Sequence, residues 1–331
     1  MLESRCLIHQ SLGQGMNLPV LVIAYSRPEG LSKILQTLLS NGIQRIYIAV
    51  DGAKNQRDLT NQKDIESVIS NFKQLSGKKI HVLRQKQNLG IAVAIIGAVD
   101  WFFANEKRGL ILEDDLVVSD QFFEFAKSAL EIYENNDEVW MISGTQLFPN
   151  SQKVNEVVWS NYPMIWGWAS WSAKWYEMRR SLFEKKIIPL SKRADSRYLF
   201  WATGANRVLS GKVDTWDIPL ACEFLNQNKL CAMPAVNLVS NIGTDSVSTN
   251  TKKTERGVGT KIALLDSEFI YTYQPEICDI QEYNKLLETQ VFNIRFRHVF
   301  LPYYSLLFDW IRFPKTHRKE KLSRRIKLFE C

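Results

Sequence analysis

The first half of this chain alternates short apolar runs with longer segments whose apolar residues recur at helical spacing. Five runs have strand length and are rich in Val, Ile and Leu: residues 19–25, 45–50, 79–83, 110–112 and 139–142. Helical patterns lie between them, near residues 28–41, 59–75, 88–103 and 122–133. Repeated strand–helix units of this kind predict an α/β fold with a mostly parallel sheet flanked by helices.

Charged residues follow three of these predicted strands. Arg27 comes after the first strand, Asp51 after the second, and the fourth ends in Glu113, Asp114 and Asp115. Ligands of parallel α/β sheets bind beyond the carboxyl ends of the strands, so we expect these side chains to share one crevice. Three adjacent carboxylates repel one another, and a hard divalent cation completed by substrate phosphates would relieve that repulsion. The alternative for the triplet alone is a solvated acidic turn.

Two common phosphate-binding motifs are missing from the sequence. There is no GxGxxG after the first strand and no GxxxxGK[ST] anywhere. The four His residues follow no metal-ligand spacing, and none lies in the stretches that carry charge at strand ends. Phosphates would therefore be held chiefly by a metal ion and by side chains.

These stretches together resemble the nucleotide-sugar-dependent glycosyltransferases of the GT-A fold, and within them the N-acetylglucosaminyltransferase I family. The similarity is carried by Pro-Val-Leu-Val-Ile-Ala with Arg27, by Ala-Val-Asp-Gly around Asp51, by the Leu-Glu-Asp-Asp-Leu block, and by Trp216-Asp217. A weaker fifth match is Gly-Trp at residues 167–168. The resemblance covers roughly residues 18–245 and implies a Rossmann-like GT-A domain.

The resemblance also implies roles on the nucleotide side of the crevice. It assigns Asp115 to a Mn²⁺ or Mg²⁺ ion that bridges the donor diphosphate, Asp114 to the ribose and Glu113 to the transferred sugar. Arg27 and Asp51 would contact the nucleotide of a UDP-sugar.

On the acceptor side, the resemblance implies that Asp217 is the catalytic base. This chain has Ile-Pro after Asp217 where the family carries a second Asp. Asp214 therefore stays open as a second candidate for the base.

The function expected from the resemblance is that of an inverting, metal-dependent glycosyltransferase. It would move a sugar, an N-acetylhexosamine from a UDP-sugar, onto a glycan hydroxyl, with a lipid-linked glycan as one such acceptor in surface polysaccharide synthesis. One alternative is a sugar-phosphate nucleotidyltransferase, which would be expected to carry a glycine-rich loop after the first strand. Another is a non-catalytic sugar-binding relative.

Domain limits and location follow from composition. We expect an N-terminal extension (1–17), a catalytic domain (18–275) and a helical, aromatic and basic extension (276–331). Most of the net charge of +7 lies at residues 312–331, with eight basic residues and two acids after an aromatic stretch, which favours an anionic membrane surface over nucleic acid as partner. With five Cys, no CxxC pair, no signal sequence and no spanning segment, a cytoplasmic protein at the inner membrane face is expected.

Overall fold

Strands and helices follow one another much as the sequence predicts. The computed structural model describes residues 16–149, 155–183, 196–243 and 280–294, together with residues 262 and 271. Its strands are β1 (Val20–Ala24), β2 (Arg45–Val50), β3 (Lys79–Arg84), β4 (Arg108–Glu113), β5 (Leu116–Val118), β6 (Val139–Ser143), β7 (Val157–Ser160), β8 (Trp168–Trp171), β9 (Leu230–Pro234) and β10 (Val239–Asn241). Its helices are α1 (Pro28–Ser40), α2 (Gln56–Ser76), α3 (Ile91–Phe103), α4 (Asp120–Ile132), α5 (Ser172–Phe183), α6 (Ser196–Leu209), α7 (Asp217–Gln227) and α8 (Ile280–Leu286), and α8 continues into a π-helical turn (Leu287–Val291).

A mixed sheet of eight strands forms the centre of the described molecule. Its strand order is β3-β2-β1-β4-β8-β6-β9-β7. The four strands β3, β2, β1 and β4 are mutually parallel, and β6 is parallel to β9, whereas β8 and β7 run antiparallel to their neighbours. A separate antiparallel pair joins β5 to β10. The predicted α/β fold, a large and mostly parallel sheet flanked by helices, is confirmed, and its topology is Rossmann-like.

Helices cover both faces of this sheet because its inner strands are apolar on both sides. In β1, Val20 and Val22 belong to one buried cluster together with the apolar faces of α1 and α4. Leu21 points to the other face and belongs to a second cluster, with α3, α5 and α7. Side chains that alternate along β1 therefore pack against two layers of helices, one on each face of the sheet.

The Trp-rich segment of the sequence lies in the core. Trp159, Trp168 and Trp175 are fully buried, and the rings of Trp168 and Trp175 pack with their centroids 5.9 Å apart and their planes tilted by 37°. The sequence favours packing over sugar stacking for this cluster, and the structure agrees for these rings.

The segment between residues 230 and 242 forms two strands in different sheets. β9 ends at Pro234 and β10 begins at Val239. Residues 235–238 carry the chain out of the large sheet, and β10 then pairs with β5, the three-residue strand after the acids. This switch brings the end of β10 beside Asp115.

The predicted domain limits at residues 18, 275 and 276 stay predictions. The basic segment at residues 312–331 and the aromatic stretch before it lie outside the described residues, as do residues 1–15. Within the described part of the chain, no helix has the length and apolar character needed to cross a membrane.

Candidate functional site

The predicted crevice lies where the order of the sheet reverses. Strands β2 and β3 extend from one side of β1, and the chain then returns to place β4 on the other side. The turn after β1 and the acids after β4 therefore face each other at the carboxyl edge of adjacent parallel strands. In open α/β sheets this is the position at which ligands bind.

Arg27 joins the ends of these two strands. Its Nη1 donates to Oδ2 of Asp115 at 2.8 Å and to Oδ1 of Asp114 at 3.3 Å. The second oxygen of Asp114 accepts the backbone N–H of Tyr25 at 2.9 Å. The side chains of Asp114 and Asp115 are only 6% and 14% exposed, so one guanidinium partly compensates two carboxylates that are shielded from water.

Glu113 ends β4, and the pKa of its carboxyl is strongly raised. Burial first, and then the charges of Asp115 and Asp114, raise the pKa of Glu113 to about 8, while Arg27 acts in the opposite direction. Asp217 adds to this increase, so Asp217 lies within electrostatic reach of Glu113. Burial also raises the pKa of Asp114 to about 6, against the N–H of Tyr25 and the charge of Arg27.

Two glycines allow the backbone to approach the acids closely. A Cβ on Gly30, in the first turn of α1, would lie 1.9 Å from the backbone oxygen of Asp114. A Cβ on Gly243 would lie 2.1 Å from Oδ2 of Asp115, and the N–H of Ile242 donates to the backbone oxygen of Asp115 at 2.9 Å. The acidic segment is thus held between the start of α1 and the end of β10.

The carboxylate of Asp51 accepts hydrogen bonds from the loop that follows β3. Its Oδ2 accepts from Nδ2 of Asn88 at 2.8 Å, and its Oδ1 accepts the N–H of Leu89 at 3.0 Å. Burial raises the pKa of Asp51 most, with a smaller increase from Asp214. The structure therefore places Asp51 at the same edge of the sheet as Arg27 and shows it engaged with protein donors.

Side chains of α2 hold the turns after β1 and β2. Nε2 of Gln62 donates to the backbone oxygens of Tyr25 at 3.3 Å and Asp51 at 2.8 Å. The hydroxyl of Tyr25 donates to Oδ2 of Asp58 at 2.6 Å. No local motif in the sequence marks Tyr25, Asp58 or Gln62, and α2 has the pattern of an ordinary polar helix, so these residues were not predicted.

The two candidates for the catalytic base occupy different positions. Asp217 is the first residue of α7; its Oδ1 accepts the N–H of Ile218 at 2.9 Å and a hydrogen bond from the hydroxyl of Thr215. Asp214 instead receives the backbone N–H groups of Ile91 and Ala92, at 2.8 and 3.1 Å, on its two oxygens. Asp214 therefore caps the start of α3.

The donor set at the acids suits a hard divalent cation. Among the described residues no group of three or more His, Cys, Asp or Glu side chains is arranged to hold a metal ion. Mg²⁺, however, is commonly bound by one or two carboxylates and completed by water and substrate phosphates. Asp115 and Asp114 supply carboxylate oxygens at such a place, and the guanidinium of Arg27 shows that this place favours positive charge.

Comparisons with known proteins bear on these expectations. No family model matches the chain, and no curated protein matches it. Among solved structures, UDP-glucose pyrophosphorylase complexed with UDP-glucose matches at 12% identity over 66% of this chain and 90% of that one, with a TM-score of 0.37. The inositol-1-phosphate CTP transferase from T. maritima matches at 12% identity over 69% and 91%, with a TM-score of 0.37. A protein described as a glucose-1-phosphate thymidylyltransferase from Bacillus anthracis matches at 16% identity over 49% and 74%, with a TM-score of 0.31.

These neighbours correct the expected function. By this comparison the prediction of an inverting glycosyltransferase is wrong. The names of these neighbours describe nucleotidyl-transferring enzymes, and this is the activity of the alternative, a sugar-phosphate nucleotidyltransferase. The resemblance to N-acetylglucosaminyltransferase I is supported only as a Rossmann-like α/β fold. With identities of 12–16% and TM-scores of 0.31–0.37, the matches leave the reaction to be argued from the site itself.

Proposed function

We propose that this chain is a transferase that binds a nucleotide with a divalent cation, and that it transfers a nucleotidyl group to a sugar phosphate. The observation that carries the proposal is the position of Arg27, Asp114 and Asp115 together at the point where the order of the sheet reverses. Positive charge is favoured at this point. The cation of a nucleoside triphosphate supplies that charge, and the triphosphate supplies oxygen ligands that complete the coordination of a cation held by two carboxylates.

Arg27 and the start of α1 would receive the phosphates. No glycine-rich loop follows β1, so the phosphate-binding groups have to come from a side chain and from a helix end. The N-cap residue of α1 is Arg27, whose side chain makes no capping hydrogen bond, and the positive end of the helix dipole lies at this N-terminus. A guanidinium beside an uncapped helix N-terminus is a favourable environment for a phosphate.

The cation site would be formed by Asp115 with Asp114. When bound, a divalent cation neutralises the negative charge that develops on a leaving pyrophosphate. Arg27, which contacts both carboxylates here, would then be released from Asp115 and be able to orient the phosphates. Glu113 is largely protonated near pH 7 because its pKa is about 8, which reduces the repulsion between the acids and an incoming triphosphate.

The proposed reaction gives Asp217 a different role from that of a base. An oxygen of the sugar phosphate attacks the α-phosphorus of the nucleotide, the bond between the α-phosphorus and the bridging oxygen breaks, and pyrophosphate leaves. The attacking phosphate oxygen is already anionic, so no carboxylate has to remove a proton. We therefore assign Asp217 to the hydroxyl groups of the sugar phosphate.

Pyrophosphate release is the test of this proposal. The chain is incubated with Mg²⁺, each common nucleoside triphosphate and a panel of hexose and N-acetylhexosamine 1-phosphates, and pyrophosphate and nucleotide sugar are measured together. We expect both products in equal amounts, and their loss in Asp115→Asn but not in Asp64→Asn, whose carboxylate is exposed on α2. Failure of every pair to release pyrophosphate in a sugar-phosphate-dependent manner would overturn the proposed reaction.

A further inference from the structure

Residues 88–92, which run from the loop after β3 into the first turn of α3, contact both sides of the crevice. At the beginning of this segment, Asn88 and Leu89 donate to the carboxylate of Asp51, which follows β2. At its end, the N–H groups of Ile91 and Ala92 donate to the carboxylate of Asp214, which lies just before α7. One segment of five residues therefore connects the end of β2 to the segment that carries Asp217.

The contact with Asp214 meets a requirement that α3 itself cannot meet. The residue before α3 is Gly90, which has no side chain to accept the first backbone N–H groups of the helix. Asp214 supplies two carboxylate oxygens from 122 and 123 residues away, and its negative charge lies at the positive end of the helix dipole. Gly90 has φ +81°, and a Cβ there would lie 2.6 Å from Oδ2 of Asp214, so glycine also permits the close approach.

The segment from Asp214 to Asp217 is fixed at its other end by the core. Trp216 is 3% exposed and packs against Trp168, with ring centroids 5.7 Å apart. Asp217 is oriented by the hydroxyl of Thr215 and by the N–H of Ile218. A short segment tied to the start of α3 on one side and to a buried ring on the other has little freedom to move.

We infer that Asp214 is a positioning residue that, through residues 88–92, sets the placement of the Asp217 segment relative to the nucleotide side of the crevice. As a statement about catalysis this inference rests on the proposed function; as a statement about the link between residues 88–92 and the Asp217 segment it stands on the hydrogen bonds alone. Asp214 itself lies on the surface and contacts the N-terminus of α3, so its effect on the binding of the sugar phosphate passes through Asp217.

Separate measurements on the two substrates test this role. In Asp214→Ala we expect the KM for the sugar phosphate to rise about tenfold, because a small displacement of a contacting group is costly, while the Kd of the nucleotide with Mg²⁺ changes by less than about threefold. Asp214→Asn retains one oxygen that can cap the helix and should recover most of the loss, since Asn is a good N-cap residue. Equal changes in the KM and the Kd, or no change in either, would overturn the positioning role.

A matched control separates this effect from a general loss of helix capping. Asn41 follows α1, and its Nδ2 donates to the backbone oxygen of Thr37 at 2.9 Å and to Oδ1 of Asp120 at 2.7 Å, so Asn41→Ala also removes side-chain hydrogen bonds at a helix end. We expect Asn41→Ala to leave the KM for the sugar phosphate unchanged.

Amide hydrogen exchange tests the link without any activity. In the substrate-free protein, Asp214→Ala should raise exchange both at residues 91–92 and at residues 215–218, whereas Asn41→Ala should raise it at neither. Faster exchange at residues 91–92 alone would show that Asp214 only caps α3 and would overturn the inference. If no nucleotidyl transfer is found but exchange rises at both segments, the proposed function fails and the link stands.

Discussion

Nη1 of Arg27 lies 2.8 Å from Oδ2 of Asp115 and 3.3 Å from Oδ1 of Asp114, so a single guanidinium connects the turn after β1 to the acids after β4. The two strands are parallel neighbours on either side of the point at which the order of the sheet reverses. The guanidinium of Arg27 therefore supplies positive charge at the position where a divalent cation and phosphates would bind.

Replacement of Asp115 tests the cation site. In Asp115→Asn we expect nucleotide affinity in the presence of Mn²⁺ or Mg²⁺ to fall by at least about tenfold, since even groups outside the first ligand shell contribute 10- to 100-fold to metal affinity. Titration calorimetry with and without the cation measures this change. Asp64→Asn, a change at an exposed carboxylate of α2, serves as the control; identical binding by both variants would remove Asp115 from the site.

Replacement of Arg27 should separate cation binding from nucleotide binding. Arg27→Gln removes a charge that competes with a cation for Asp115, so we expect tighter Mn²⁺ binding in the absence of nucleotide and weaker nucleotide binding. The cation-free protein should also lose about 1.5–3 kcal/mol of stability, the range for a hydrogen bond to a charged group. Mn²⁺ titration followed by electron paramagnetic resonance, and denaturant unfolding in EDTA, measure the two effects.

The control for Arg27 is Arg57→Gln, because Arg57 is exposed on α2. A parallel fall of cation affinity and nucleotide affinity in Arg27→Gln would contradict competition between the guanidinium and the cation.

The raised pKa of Glu113 makes stability depend on pH in a defined direction. Because the folded-state pKa is about 8 and the ordinary value is 4.5, the folded protein binds the proton more tightly than the unfolded chain does. The resulting stabilisation is complete below about pH 4.5 and is lost as the pH rises through about 8. In Glu113→Gln we expect thermal stability in EDTA to vary less between pH 5 and pH 8 than in the wild type.

At pH 8 the Glu113→Gln protein should also melt at a higher temperature than the wild type, because no charge has to be accommodated at the end of β4. Parallel pH profiles for the two proteins would show that the Glu113 carboxyl is ionised without cost in the fold.

Two glycine substitutions test the close approach of α1 to the acids. Gly30→Ala places a Cβ 1.9 Å from the backbone oxygen of Asp114, and we expect a loss of about 1–3 kcal/mol because the backbone would have to move. Gly97, inside α3, has open space around its added Cβ, so Gly97→Ala should stabilise by about 0.5–1 kcal/mol. Urea unfolding of both variants measures the difference, and equal stability would mean that the approach is looser than described.

The basic segment at residues 312–331 makes a separate prediction from sequence alone. Its eight basic residues should bring the full chain to anionic liposomes at low salt, at about 1 kcal/mol for each Lys or Arg near the surface. Binding should weaken as salt rises, because the Debye length is about 10 Å at 0.1 M. A chain ending before residue 300 that co-sediments with liposomes as well as the full chain does would rule out this membrane role.

The sequence by itself determined the sheet, the layers of helices and the edge at which the charged residues meet. Hydrophobic periodicity is a local property, so the runs that became β1, β2, β3, β4 and β6 could be recognised one at a time. Once a mostly parallel sheet is inferred, the ends of β1, β2 and β4 must lie along one edge. That is why Arg27, Asp51 and the acids from Glu113 to Asp115 were found without the structure.

Only the tertiary structure decided which of these groups touch and what surrounds them. Arg27 and Asp114 are 87 residues apart, and Asp214 and Ile91 are 123 apart. Hydrogen bonds over such distances depend on how packed elements are placed against each other, which no local pattern records. The structure accordingly shows that Asp214 caps α3, and that the end of β10 lies against Asp115 because β10 pairs with β5.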